Sequence, residues 1–191
     1  MRQSFESVAD HLETLLRPGE VTTAWFAGES SEFVRFNRGR VRQPGSVRQQ
    51  SLTVDLIDGS RHAAGTVTLS GERATDHARV ETLVESLRDA LPRLPEDPHL
   101  LYNTAVQSTE RALPGELPAA SELTERILER VGTLDFVGLY AGGRIYRGFC
   151  NSLGQRNWFE RPSFNLDWSL YLRGDKAVKC SYAGTAWDDD T

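Results

Sequence analysis

The apolar positions follow two periods along the chain, and each change of period marks a change of element. In the first segment Phe5, Val8, Ala9, Leu12, Leu15 and Leu16 recur at three- and four-residue steps, which puts them on one face of a helix. Ser4 is its expected N-cap and Pro18-Gly19 its stop. From Val21 to Leu69 the period becomes two, predicting strands over residues 22–26, 32–36, 47–57 and 61–69. The alternation of Leu52, Val54 and Leu56 runs into Asp58-Gly59, a pair suited to the positive φ angles of a tight hairpin turn. Val80, Leu83, Val84, Leu87 and Leu91 then return to helical spacing, giving a second amphipathic helix to cover one face of the meander.

Between Pro92 and Pro118 fall five of the eight prolines, so regular structure is interrupted there and a boundary is expected. A third helix follows, capped near Ser121, carrying Leu123, Ile127, Leu128 and Val131 on one face and ended by Gly132. The remainder reads as strands over 136–140, 145–150 and 156–159, with Gly142-Gly143 and Arg161-Pro162 as turns, and then a hairpin. In that hairpin Phe164, Leu166, Trp168, Leu170 and Leu172 alternate with Asn165, Asp167, Ser169 and Tyr171, so one face is apolar and the other polar. Gly174-Asp175 turns the chain into a last strand over 177–182. The pattern predicts an α+β protein of two lobes, each an antiparallel or mixed sheet with amphipathic helices packed on it. Residues 1–95 form the first lobe, 96–118 a Pro-rich connection, and 119–191 a second, truncated lobe.

Composition adds limits rather than chemistry. With 191 residues and a hydrophobic share of 39%, the chain can bury a core without disulfides or metal. The net charge of -5 disfavours nucleic acid as a direct partner, because phosphate neutralisation needs a surplus of Lys and Arg. Locally the balance reverses: Arg35, Arg38, Arg40, Arg42 and Arg48 form a basic stretch with no acidic residue among them. The start, Met1-Arg2-Gln3-Ser4, passes into an amphipathic segment without a secretory core, and no run is long and apolar enough to span a membrane, so a cytoplasmic protein is expected. Cys150 and Cys180 have no CxxC spacing and read as buried or half-buried thiols.

The four histidines, His11, His62, His77 and His99, are not spaced to converge on a metal. There is no nucleophile elbow and no phosphate-binding glycine loop, and the carboxylate run Asp188 to Asp190 lies at the terminus. No catalytic, cofactor or metal site is therefore assigned. Asn151-Ser152-Leu153-Gly154 stands out after the aromatic run Tyr146, Gly148, Phe149; it reads either as a plain turn or as a loop offering backbone groups to a ligand.

The order of these features carries a resemblance. The run from Phe33 to Val41 with Gln43-Pro44, followed by Leu52 to Gly59, resembles the first block of the TldD/PmbA family, and Phe149 to Gly154 is similar to its Asn-Ser-x-Gly turn. The resemblance implies a cytoplasmic, dimer-forming relative of proteins named modulators of DNA gyrase, whose active members are zinc-dependent peptidases acting on unfolded peptides in an enclosed channel. In those members the zinc sits on a His-Glu-containing helix late in a longer chain, and no counterpart occurs here. The expectation is a non-catalytic front portion of such a peptidase or of its partner subunit, shaping a channel and a dimer surface. Zinc would belong to a full-length relative, and the partners would be a like subunit and an unfolded peptide. Candidate peptide contacts are Arg35, Asn37, Arg40, Asn151, Ser152 and Gly154, beside the polar face of Asn165, Asp167, Ser169 and Tyr171. The alternative is a self-sufficient peptide- or protein-binding regulatory protein without peptidase activity.

Overall fold

The computed structural model describes residues 1–189. In chain order they form α1 (Arg2–Thr14), β1 (Glu20–Asn37), β2 (Arg40–Asp58), β3 (Arg61–Leu69), α2 (Arg73–Ala90), a single 3-10 turn (Leu91–Arg93), β4 (Thr109–Ala112), α3 (Ala120–Val131), β5 (Asp135–Asn151), β6 (Arg156–Arg173) and β7 (Lys176–Gly184). The strands make one sheet in the order β3-β2-β1-β5-β6-β4, and β7 also pairs with β6. The fold is α+β, as the two periods predict.

The strands are longer than their sequence pattern. The stretches 22–26 and 32–36 are parts of the 18-residue β1, and 136–140 and 145–150 are parts of the 17-residue β5. Gly142-Gly143 is therefore not a turn: both glycines lie inside β5. Their role is close approach. A Cβ on Gly142 would meet the Tyr140 hydroxyl at 2.1 Å, and one on Gly143 would meet the Ser30 carbonyl oxygen at 2.2 Å. Arg161-Pro162 is likewise not a turn, and β6 runs straight through it. Proline is tolerated because it falls between two pairings. Leu113 donates to the Glu160 carbonyl on one side of it, and the β7 register begins at Phe164↔Gly184 on the other.

Helix starts also differ from expectation. α1 begins at Arg2 behind Met1, so Ser4 lies within the helix, and α3 starts behind Ala119 rather than at a Ser121 cap. Neither has a side-chain cap. α2 has one: the Glu72 carboxylate accepts from the amides of Ala74 (3.1 Å) and Thr75 (2.7 Å), and the Thr75 side chain together with these amides holds its pKa below the usual value. The Asp58-Gly59 hairpin forms as predicted, with Asp58 opposite Arg61 and Gly59 at φ 60°.

The chain divides into two compact units, neither of them contiguous: residues 1–28, 49–112 and 146–159, and residues 29–48, 113–145 and 160–191. The lobes expected at 1–95 and 119–191 cut the sequence differently, because four long strands contribute one end to each unit. In the first unit Phe5, Val8 and Leu12 of α1 and Val80, Val84 and Leu87 of α2 pack with Ala24, Phe26, Leu52, Val54 and Leu56. Phe5 stacks on Trp158 at 5.6 Å between ring centroids. In the second unit Leu123, Ile127 and Val131 of α3 pack with Val34, Phe36, Phe136, Tyr140, Phe164 and Leu166.

Candidate functional site

The Asn-Ser turn belongs to the first unit and satisfies itself. Asn151 is buried, and its side-chain oxygen accepts from the amides of Leu153 and Gln155, both at 3.0 Å. Ser152 donates its amide to the Thr22 carbonyl (3.0 Å), and its hydroxyl oxygen accepts from the Thr22 amide (3.1 Å). Gly154 has φ 96°, which its type allows without strain. These bonds use the Asn151 side-chain oxygen and the Ser152 amide and hydroxyl to close the loop on β1.

Arg35, Asn37 and Arg40 fall in the second unit, on the β1–β2 hairpin, and all three are exposed. The turn there is Arg38-Gly39, with φ 53° and 63°; two positive values in succession are the signature of a type I′ turn, the tight turn whose twist matches the strands. The six candidate contacts thus divide three and three between the units.

The same unit carries a groove that the candidate residues do not line. It has a volume of about 640 Å³ and lies between α3 (Ile127, Val131) and the apolar face of the sheet, Phe136, Leu166, Trp168, Leu170 and Tyr182. The β6–β7 register sets this wall: Trp168 stands opposite Cys180, Leu170 opposite Val178 and Leu166 opposite Tyr182. Trp187 and Asp189 line it too. Arg126 donates to the Asp189 carboxylate (2.5 Å), Arg130 to the Asp189 carbonyl (2.7 Å), and the Trp187 indole to Asp189 (2.9 Å), which ties Asp189 to α3. Of the run Asp188 to Asp190, the last lies outside the described residues. Sequence reasoning named the polar face, Asn165 and Tyr171 among it, and passed over this one. Its signal was the facing pair of apolar stripes on α3 and β6.

Several other titratable groups are occupied structurally. His11 and His77 stack at 3.9 Å with nearly parallel rings, and His77 bonds the Ser7 hydroxyl at 2.9 Å. His77 does not pair with Asp76, whose buried carboxylate accepts from the Ser70 amide (2.6 Å), the Ser70 hydroxyl (2.8 Å) and the Gly71 amide (2.9 Å). Burial pushes the Cys150 thiol up to about 11, far from a reactive thiolate. Burial, with the charge of Glu32, raises Tyr140 to about 12. Among the described residues no three His, Cys, Asp or Glu side chains come together as a metal site. Among the described residues no helix is long and apolar enough to cross a membrane.

No family model matches the chain, and no curated protein does. Solved structures do match it. TldE from Thermococcus kodakarensis superposes with a TM-score of 0.65 at 12% identity, over 95% of this chain and 43% of that one. A proposed modulator of a DNA gyrase from Thermotoga maritima gives 0.62 at 12% identity, over 94% and 42%. A second proposed modulator, from Bacteroides thetaiotaomicron, gives 0.61 at 11%, over 97% and 45%. At these identities the likeness is one of fold, and the expected resemblance to TldD/PmbA proteins holds at that level. The chain spans less than half the length of each of these structures.

Proposed function

We propose that this chain is the non-catalytic portion of a TldD/PmbA-like peptidase system, one that guides an extended peptide and offers a surface to a like subunit. The observation that carries the reading is the fold likeness itself, which takes in nearly the whole of this chain and under half of TldE. Catalysis, with its zinc, is assigned to other residues. The apolar groove beside α3 and the exposed hairpin of Arg35, Asn37 and Arg40 are the surfaces available for an extended peptide. A strand-like peptide draws affinity from main-chain hydrogen bonds and register from alternate side chains, which suits a handler of unfolded chains.

The test is the intact mass of the natural product from its own cells, with zinc measured after purification. A mass well above 21.3 kDa with bound zinc supports a place within a longer peptidase. A metal-free product of 21.3 kDa that binds unfolded peptide supports a partner subunit. A product that binds no peptide and associates with no like subunit overturns the proposal.

A further inference from the structure

The peptide-handling reading leaves open which peptides are handled, and the second unit carries an asymmetry that bears on this. Between Glu32 and Asp55 there is no acidic residue, while five arginines fall in that interval. All five, Arg35, Arg38, Arg40, Arg42 and Arg48, are exposed, and none makes an ion pair among the described residues. Elsewhere arginines are mostly committed: Arg88 to Glu20, Arg126 to Glu122 and Asp189, Arg156 to Asp10 and Glu13. The whole chain has 22 basic and 27 acidic residues, so without these five the balance is 17 against 27, or -10. One hairpin is thus an unneutralised positive ribbon on an otherwise negative chain.

Arg38 adds a second, independent sign. It occupies a turn position at φ 53°, where asparagine, aspartate or glycine is the favoured residue and a long side chain carries a conformational cost. Local turn chemistry does not select arginine there, so its charge is the property retained. A departure from local preference at an exposed position points to function.

We infer that the β1–β2 hairpin selects acidic extended peptides, segments rich in Asp and Glu, through its five free guanidiniums. The inference rests on the peptide-handling reading. Charge complementarity commits it to this occupant: an acidic segment is repelled by the rest of the chain and steered to the hairpin, where guanidinium groups match carboxylates in bidentate geometry. Nucleic acid is the other polyanion to consider. The chain as a whole is negative, which disfavours a duplex, and of the two rings beside these arginines Phe36 is buried while Phe33 is half-buried with its ring against Gly45, so neither is set out to stack on a base.

The experiment titrates the 191-residue chain with three labelled peptides of equal length, acidic, neutral and basic, and with a duplex DNA, at two salt concentrations. The expected result is tightest binding of the acidic peptide, weakened by salt. Binding falls about tenfold in a triple variant Arg35→Ser, Arg40→Ser, Arg42→Ser and is largely restored when the same positions carry Lys. Because these side chains are exposed and unpaired, an unchanged unfolding transition of the Ser variant shows that folding is not the cause. Equal binding of all three peptides, indifferent to the Ser variant, overturns the acidic preference and leaves peptide handling standing. Binding of no peptide overturns both. Arginine-dependent binding of DNA without a preference for the acidic peptide overturns the inference in favour of nucleic acid.

Discussion

The two compact units reach stability by different means. The first covers its sheet with α1 and α2 and locks α2 to the start of β1, where Arg88 donates to both Glu20 oxygens at 2.6 and 2.7 Å with both side chains nearly inaccessible. The second has α3 alone, with a groove of about 640 Å³ beside it. Along the strands exposure follows the same division, although outside them the first unit also exposes Leu94, Leu101, Val106 and Leu153. Among the described residues the strand segments of the first unit expose one large apolar side chain, Trp25, whereas those of the second expose Val41, Val137, Leu139, Tyr171, Leu172 and Val178. Uncovered apolar surface is costly to keep and usually marks a place of contact. The difference is what the proposed recognition role of the second unit would require.

The largest expected effect is on the closed core. Phe5 is fully buried between Phe26 and Trp158, and its ring lies 2.8 Å from where a Cβ on Gly148 would stand. Phe5→Ala should cost about 4 kcal/mol, read by denaturant unfolding, because the packed rings around it have little room to collapse. Next is Arg88→Met, which leaves Glu20 buried without its counter-charge and should cost about 3 kcal/mol. The Arg88 hydrogen bond holds the Glu20 carboxyl below its ordinary 4.5. A depressed carboxylate contributes stability that is fully present above that ordinary value and is lost as pH falls through the folded one. Glu20→Gln should therefore flatten the decline in stability below about pH 4.5. An undiminished decline would show that other carboxylates govern it.

Two intermediate substitutions, each of about 2 kcal/mol, put the comparison at risk. Ile127 lines the groove, so Ile127→Ala removes atoms from a wall already open on one side and should cost about 2 kcal/mol, the low end for such a truncation. A loss as large as that of Phe5→Ala would mean that the second unit is packed as tightly as the first. Asn151→Leu removes the acceptor of two backbone amides in the first unit and should cost about 2 kcal/mol, the penalty for buried donors left unmet. Unchanged unfolding would remove the structural reading of that turn.

What the sequence disclosed was local, and what it concealed depended on partners distant in the chain. Asp58-Gly59 was legible because a two-residue turn carries its own chemistry. Helix faces were legible because Val80, Val84 and Leu87 repeat at the helical period. Gly142-Gly143 carries the same local signal as a turn, yet it lies within β5 because Tyr140 and the Ser30 backbone need the space where two Cβ atoms would be. Pro162 was misleading for a similar reason, since only the ends of the flanking pairings reveal that β6 can hold it. The groove required Val131 of α3 and Leu166 of β6, 35 residues apart, to be set face to face. Each had a visible apolar stripe, but periodicity says only that a stripe is covered, not by what, and the polar face drew attention because solvent-facing side chains look available. Asn151 and Ser152 show the converse: residues of binding type whose polar groups are spent on backbone amides and on Thr22.

The smallest effect bears most directly on the division of labour. Arg38 sits at φ 53° beside Gly39 at φ 63°, and Asn-Gly is the preferred pair for such a turn. Arg38→Asn should therefore raise stability by about 0.5 kcal/mol, a gain typical of relieving a single disfavoured backbone position. If the arginine is retained for recognition, the same variant should bind an acidic peptide more weakly while unfolding at higher denaturant, and the two changes have opposite signs. A variant that is stabilised with unaltered binding would make Arg38 a tolerated imperfection of the turn. One that is destabilised would mean that its side chain supports the hairpin through packing. Opposite signs at one residue separate a surface kept for contact from one kept for folding, which is the distinction drawn between the two units.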